Sequence, residues 1–107
     1  MQRLTIVRYT VKPEFVAENE RLSRAVFERL RQDAPGGVAY SLFKEADGQG
    51  FVHLFVNLNE DSSDVLTETP EFHAFSADGA ARWEAPPEVI RLRVGQVDSY
   101  FSPTPEV

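Results

Sequence analysis

Residues Gly37 to Leu58 constrain the fold of this chain more than any other stretch, because they read as a β-hairpin. Val38-Ala39-Tyr40-Ser41-Leu42-Phe43 and Phe51-Val52-His53-Leu54-Phe55-Val56-Asn57-Leu58 are both rich in β-branched and aromatic residues, which suit a pleated, half-buried surface. Between them, Ala46-Asp47-Gly48-Gln49-Gly50 carries two glycines, which tolerate the positive φ a tight turn needs. One helical stretch lies on each side of this hairpin, and one further strand lies outside each helix. The element order β-α-β-β-α-β follows.

The first strand spans Leu4 to Lys12. Alternation puts Leu4, Ile6, Arg8 and Thr10 on one face and Thr5, Val7, Tyr9 and Val11 on the other. Neither face is wholly polar, so both are expected to be covered. Lys12-Pro13-Glu14 stops the strand and starts a helix, with proline suited to the first turn and Glu14 to the positive end of the helix dipole. That helix is expected from Pro13 to Gln32, with an apolar stripe of Phe15, Leu22, Val26 and Leu30, widened by Val16 and Phe27. Asn19 falls inside the stripe. Asp33-Ala34-Pro35-Gly36-Gly37 closes it.

After the hairpin, Asn59-Glu60-Asp61-Ser62-Ser63-Asp64 is a run of helix-capping residues, and a short helix is expected over Ser63 to Glu68. Thr69 caps a second start, Pro70 fits its first turn, and the helix is expected to continue to Glu84 with Phe72, Phe75, Gly79 and Trp83 on one side. The last strand is expected from Val89 to Phe101, with Gly95 marking a bulge and Arg91 and Arg93 forming cross-strand ion pairs. One α+β domain over residues 1–101 with a loose tail at 102–107 accounts for the whole chain. Its four-stranded antiparallel sheet carries both helices on one face and leaves the other bare. An apolar sheet face of that size implies association, here a two-fold homodimer packed sheet against sheet.

Composition narrows the partners. The chain has 107 residues, 42% of them hydrophobic, and eight Phe, three Tyr and one Trp furnish an aromatic core or pocket. Without cysteine it has neither disulfides nor thiolate metal sites, and a reducing cytoplasm is the expected compartment. A net charge of −6 suits neither nucleic acid nor an anionic membrane. No apolar run approaches the roughly 20 residues of a membrane span, and the first residues enter a strand with no signal-peptide pattern.

Three local patterns carry a resemblance: Lys12-Pro13 at the end of strand one, Gly37-Val38-Ala39-Tyr40 leading into strand two, and Thr69-Pro70-Glu71-Phe72 with Phe75 in helix two. In order and spacing the chain resembles the antibiotic biosynthesis monooxygenase family, of the dimeric α/β-barrel, ferredoxin-like superfamily. The resemblance implies that fold and cofactor-free oxidation of a small phenolic or quinol-type aromatic. The chain departs from the family at several positions. The family's frequent Glu-x-Trp falls on Phe55-Val56-Asn57, and its frequent histidines fall on Leu66 and Glu71. The residues its haem-degrading branch uses fall on Ile6, Leu66 and Ser76, so the resemblance does not extend to haem degradation.

No metal-ligating set is spaced along the chain, since His53 and His73 sit on different elements. No cofactor is expected. What remains is a polar and aromatic set that could converge between helices and sheet: Arg8, Asn19, Tyr40, Asn57, His73, Ser76 and Trp83, with Phe72 beside them. A cofactor-free oxygenase needs a base, donors for the developing anion and a dry apolar wall. His73 is the candidate base and Arg8 the candidate anion holder, both catalytic. Asn19, Tyr40, Asn57 and Ser76 would orient the substrate, and Phe72 and Trp83 would stack on its ring. Each has a plainer reading. His73 can be merely solvated, Arg8 can sit in a salt bridge, Asn19 can only edge the stripe, and Trp83 can be core. His53, alternating with Val52, Leu54 and Val56, is expected in the dimer interface. The alternative to an oxygenase is a binding or structural dimerisation module of the same fold.

Overall fold

Eight-residue strands at the centre of the sheet decide the architecture, because each finds a partner on both sides. The computed structural model describes residues 2–59, 69–94, 98 and 100. Strand β1 (Arg3–Thr10) leads through a 3-10 turn at Pro13–Phe15 into helix α1 (Val16–Asp33). Strands β2 (Val38–Lys44) and β3 (Gly50–Asn57) form the hairpin, followed by helices α2 (Pro70–Ala77) and α3 (Gly79–Arg82) and strand β4 (Glu88–Arg93). The sheet order is β2-β3-β1-β4, all antiparallel. This is the ferredoxin-like arrangement.

The hairpin turn works through one glycine. Gly48 takes φ +78°, the Asp47 carboxylate accepts from the Gln49 and Gly50 amides at 2.9 Å, and the Glu45 amide donates to the Gly50 carbonyl at 2.7 Å. Gly50 itself begins β3 without a positive φ. Helix α1 ends on Ala34, at φ 45°, whose amide donates to the Leu30 carbonyl at 2.7 Å. Pro35 follows and cannot continue the helix.

Register assigns the faces. Thr5, Val7, Tyr9, Tyr40, Leu42, Phe51, His53, Phe55, Val89 and Arg91 share the helix side, where Tyr9, Val11, Val26, Phe51 and Phe75 form the core. Leu4, Ile6, Arg8, Val52, Leu54, Val56, Ile90 and Leu92 share the open side. Three sequence expectations change here. The second helix does not run to Glu84: it breaks at Asp78 between α2 and α3, and Trp83 leaves as extended backbone, bridging Val11. Strand β4 ends at Arg93 with Val94 in a turn. The expected ion pairs of Arg91 and Arg93 are replaced by neutral and like-charged neighbours, since Arg91 stands opposite Thr5 and Arg93 opposite Arg3. The short helix expected at 63–68, the capping residues at 60–64, the Gly95 bulge and the tail at 102–107 lie outside the described residues. No described helix is long and apolar enough to cross a membrane.

Candidate functional site

Between the helix side of the sheet and α2 lies a cavity of about 270 Å³. Strand β1 supplies Arg3, Thr5, Val7 and Tyr9, β2 supplies Tyr40, β3 supplies His53 and Phe55, and β4 supplies Val89 and Arg91. Helix α2 closes it with Phe72, Phe75 and Ser76, and Trp83 adds a wall. Phe72 and Phe75 lie three apart on α2 and so reach the same side of that helix, with ring centroids 6.2 Å apart. Ring packing continues across the cavity wall, with Tyr9 centred 5.0 Å from Trp83 and Phe75 6.4 Å from it.

At the floor runs a chain of buried polar groups. Arg82 Nε donates to Asn19 Oδ1 at 3.4 Å, Asn19 Nδ2 donates to the Tyr9 hydroxyl at 3.1 Å, and Tyr9 lies 2.6 Å from His53 Nε2. The far ring nitrogen, Nδ1, lies 2.5 Å from the Tyr40 hydroxyl. Arginine only donates, so the Asn19 oxygen must face Arg82 and its NH₂ must face Tyr9. Tyr9 already accepts from Asn19, and among the described residues its buried proton finds its acceptor at His53 Nε2. His53 therefore carries its proton on Nδ1 and donates to Tyr40. Among the described residues the Tyr40 proton has no acceptor, and Tyr40 lines the cavity.

Burial sets the charge states. It pushes His53 down to about 4, so the imidazole is neutral at pH 7. It pushes Tyr9 up to about 12, against the smaller opposing pull of the Asn19 hydrogen bond, and raises Tyr40 as well. Both phenols stay protonated. The Trp83 indole N–H, also at the wall, is buried without a hydrogen-bond partner among the described residues.

The structure brings together Tyr40, Phe72, Ser76 and Trp83 of the residues singled out from sequence. The Ser76 hydroxyl is committed to the Phe72 and His73 carbonyls at 3.1 and 3.3 Å. Asn19 is fully buried behind Tyr9, where it orients the phenol without lining the cavity. Asn57 is also buried, but it closes the end of β3 by accepting from the Asn59 amide at 3.0 Å. His73 is exposed and lies outside the cavity wall. Arg8 sits on the open side, exposed, in a salt bridge with Glu45 at 2.8 Å. Neither proposed catalytic residue reaches the cavity. His53 moves the other way, from the expected interface into the site. Alternation sends it to the opposite face from Val52, Leu54 and Val56. Sequence reading also passes over Arg82, 3% exposed, whose guanidinium lies 5.2 Å from the Phe75 ring and donates to the Phe75 carbonyl. Its signal was a lone arginine between two alanines and a tryptophan, too weak to separate from a surface charge. Among the described residues no group of three His, Asp or Glu is placed to hold a metal ion.

In sequence, no family model and no curated protein matches the chain. Solved structures do match. A protein of Nitrosomonas europaea, provisionally named an antibiotic biosynthesis monooxygenase, superposes with a TM-score of 0.74 at 17% identity, over 92% of this chain and 94% of its own. One from Caulobacter crescentus gives 0.73 at 18% identity, over 87% and 89%. One from Bacteriodes thetaiotaomicron gives 0.75 at 14% identity, over 94% and 95%. This chain has the antibiotic biosynthesis monooxygenase fold. At such identities the likeness is one of fold alone.

Proposed function

We propose that the chain is a monooxygenase-like protein that takes a small aromatic, phenolic or quinol-type, substrate into the cavity beneath α2. One observation carries the reading: an aromatic-walled space of about 270 Å³ whose floor presents a hydroxyl proton, from Tyr40, that no described residue accepts. Phe72, Phe75 and Trp83 offer ring faces to a flat substrate. Tyr40 and the Trp83 N–H, which no described residue accepts, are donors suited to an oxygen that gains negative charge. In the reaction the substrate is its own reductant. One oxygen atom of O₂ enters as a new quinone carbonyl and the other leaves as water, whose hydrogens come from the ring C–H and the hydroxyl.

His53 is a poor base for this chemistry. A phenol titrates near 10 and His53 near 4, so a direct transfer is uphill by about 8 kcal/mol. Ionisation would have to be driven by donors that stabilise the phenolate, the proton leaving to solvent. That low basicity also favours a second reading, in which the cavity binds an aromatic ligand without turning it over.

Oxygen uptake over a panel of quinols and phenols separates the two. The first reading expects uptake matched to quinone formed, a fall of about a hundredfold in Tyr40→Phe, and no change in His73→Ala. Uptake at background throughout, with a ligand that raises the melting temperature and is recovered unchanged, would leave the binding reading alone. We also propose that a second copy of the chain covers the open sheet face, where Leu4, Ile6, Leu54, Ile90 and Leu92 form an apolar surface, with Ile90 48% and Leu92 49% exposed.

A further inference from the structure

Two arginines meet at one end of the cavity. Arg3 and Arg91 both line it, and the β1–β4 register explains how. Arg3 pairs with Arg93 and Thr5 pairs with Arg91, so three guanidiniums occupy two adjacent rungs on the helix side of the sheet. Arg3 and Arg91 are diagonal neighbours, with Cα atoms roughly 7–8 Å apart, within reach of long side chains. Like charges directly opposite, as Arg3 and Arg93 are, destabilise a strand pair. Neither Arg91 nor Arg93 forms an ion pair with any described residue, although the whole chain carries 17 acidic residues against 11 basic ones.

We propose that the ligand of this cavity is an aromatic acid, its ring held among Phe72, Phe75 and Trp83 and its carboxylate held by Arg3 and Arg91. This rests on the aromatic-ligand reading above and adds the anionic group. Guanidinium matches carboxylate in plane and in paired N–H donors, and such charge-assisted bonds are stronger than neutral ones. Tyr40 then donates to a second oxygen on the ring.

The cavity carries its own probe, because Trp83 is the only tryptophan in the chain. Naphthoate and its neutral carboxamide, naphthamide, are titrated against the intact protein by Trp83 fluorescence and by calorimetry. The wild type is expected to bind the acid at least about tenfold more tightly than the amide. Arg91→Gln and Arg3→Gln are each expected to shrink that ratio toward one without changing the affinity for the amide. Arg91 is exposed, so its replacement leaves the fold intact. Equal binding of acid and amide by the wild type would overturn the anion site and leave the aromatic cavity standing. So would an acid preference that survives both substitutions. No binding of either probe would overturn the cavity reading itself.

Discussion

His53 shows how far one side chain's face can shift its chemistry. On the open face it would be a solvated imidazole. On the helix side it is 5% exposed, held at both nitrogens by tyrosine hydroxyls and neutral at physiological pH. An unfolded histidine titrates near 6.5 and the folded one near 4. Between those values the unfolded chain binds a proton that the native chain refuses. Stability is therefore undiminished above about pH 6.5 and falls as pH is lowered toward 4, by up to about 3 kcal/mol. Urea denaturation from pH 7 to about pH 4 should show this slope, and His53→Gln should flatten it. Parallel slopes in the two proteins would contradict the buried neutral histidine. The alternation that sends His53 inward is present in the sequence, but it cannot say which of two mixed faces is the inner one. Val52, Leu54 and Val56 are more apolar than Phe51, His53, Phe55 and Asn57, and they lie outside.

At the scale of the element, the break between α2 and α3 builds the cavity wall. An uninterrupted helix to Glu84 would have carried Trp83 around with Phe72 and Phe75. Instead Asp78 leaves the helix, Gly79 restarts it, and Trp83 pairs with Val11 as extended chain. Two residues hold this shape. Arg82 donates to the Phe75 carbonyl, one of those that α2 leaves unsatisfied at its end, and its positive charge suits that end of the dipole. Gly79 lets the Trp83 ring lie against its backbone, and a Cβ there would collide with the six-membered ring. Gly79→Ala is therefore expected to cost about 1–3 kcal/mol and to loosen ligand binding at the displaced Trp83 wall. Denaturation midpoints and Trp83 fluorescence measure the two effects. An alanine variant as stable as wild type would mean that the ring can move at no cost. The apolar spacing of Phe72, Phe75, Gly79 and Trp83 suggested a single helix, because helical period alone does not register an arginine that turns back to cap the previous segment.

For the whole molecule, the open sheet face is the largest consequence of the fold. Phe43, Ile90 and Leu92 are about half exposed, and Leu4, Ile6 and Leu54 lie between them. Light scattering at micromolar concentration is expected to report twice the 12.1 kDa chain mass. Ile90→Arg with Leu92→Arg, on the most accessible strand, should return it to 12.1 kDa. A wild-type particle of one chain mass would remove the dimer.

The order of elements, the hairpin, the capped start of α2 at Thr69-Pro70 and the ferredoxin-like arrangement were all legible in the sequence. They depend on neighbours within a few residues and on period, which a linear chain records directly. An aromatic interior was legible for the same reason, and Tyr40, Phe72 and Trp83, singled out from sequence, line one cavity. Only the tertiary structure placed Arg8 outside with Glu45, drew His53 inside between Tyr9 and Tyr40, set Arg82 against Asn19, and brought Arg3 and Arg91 to one end of a cavity. Those placements depend on which face of the sheet the helices cover and on the register between β1 and β4. Both are decided by contacts between residues dozens of positions apart, whose joint packing no local pattern encodes.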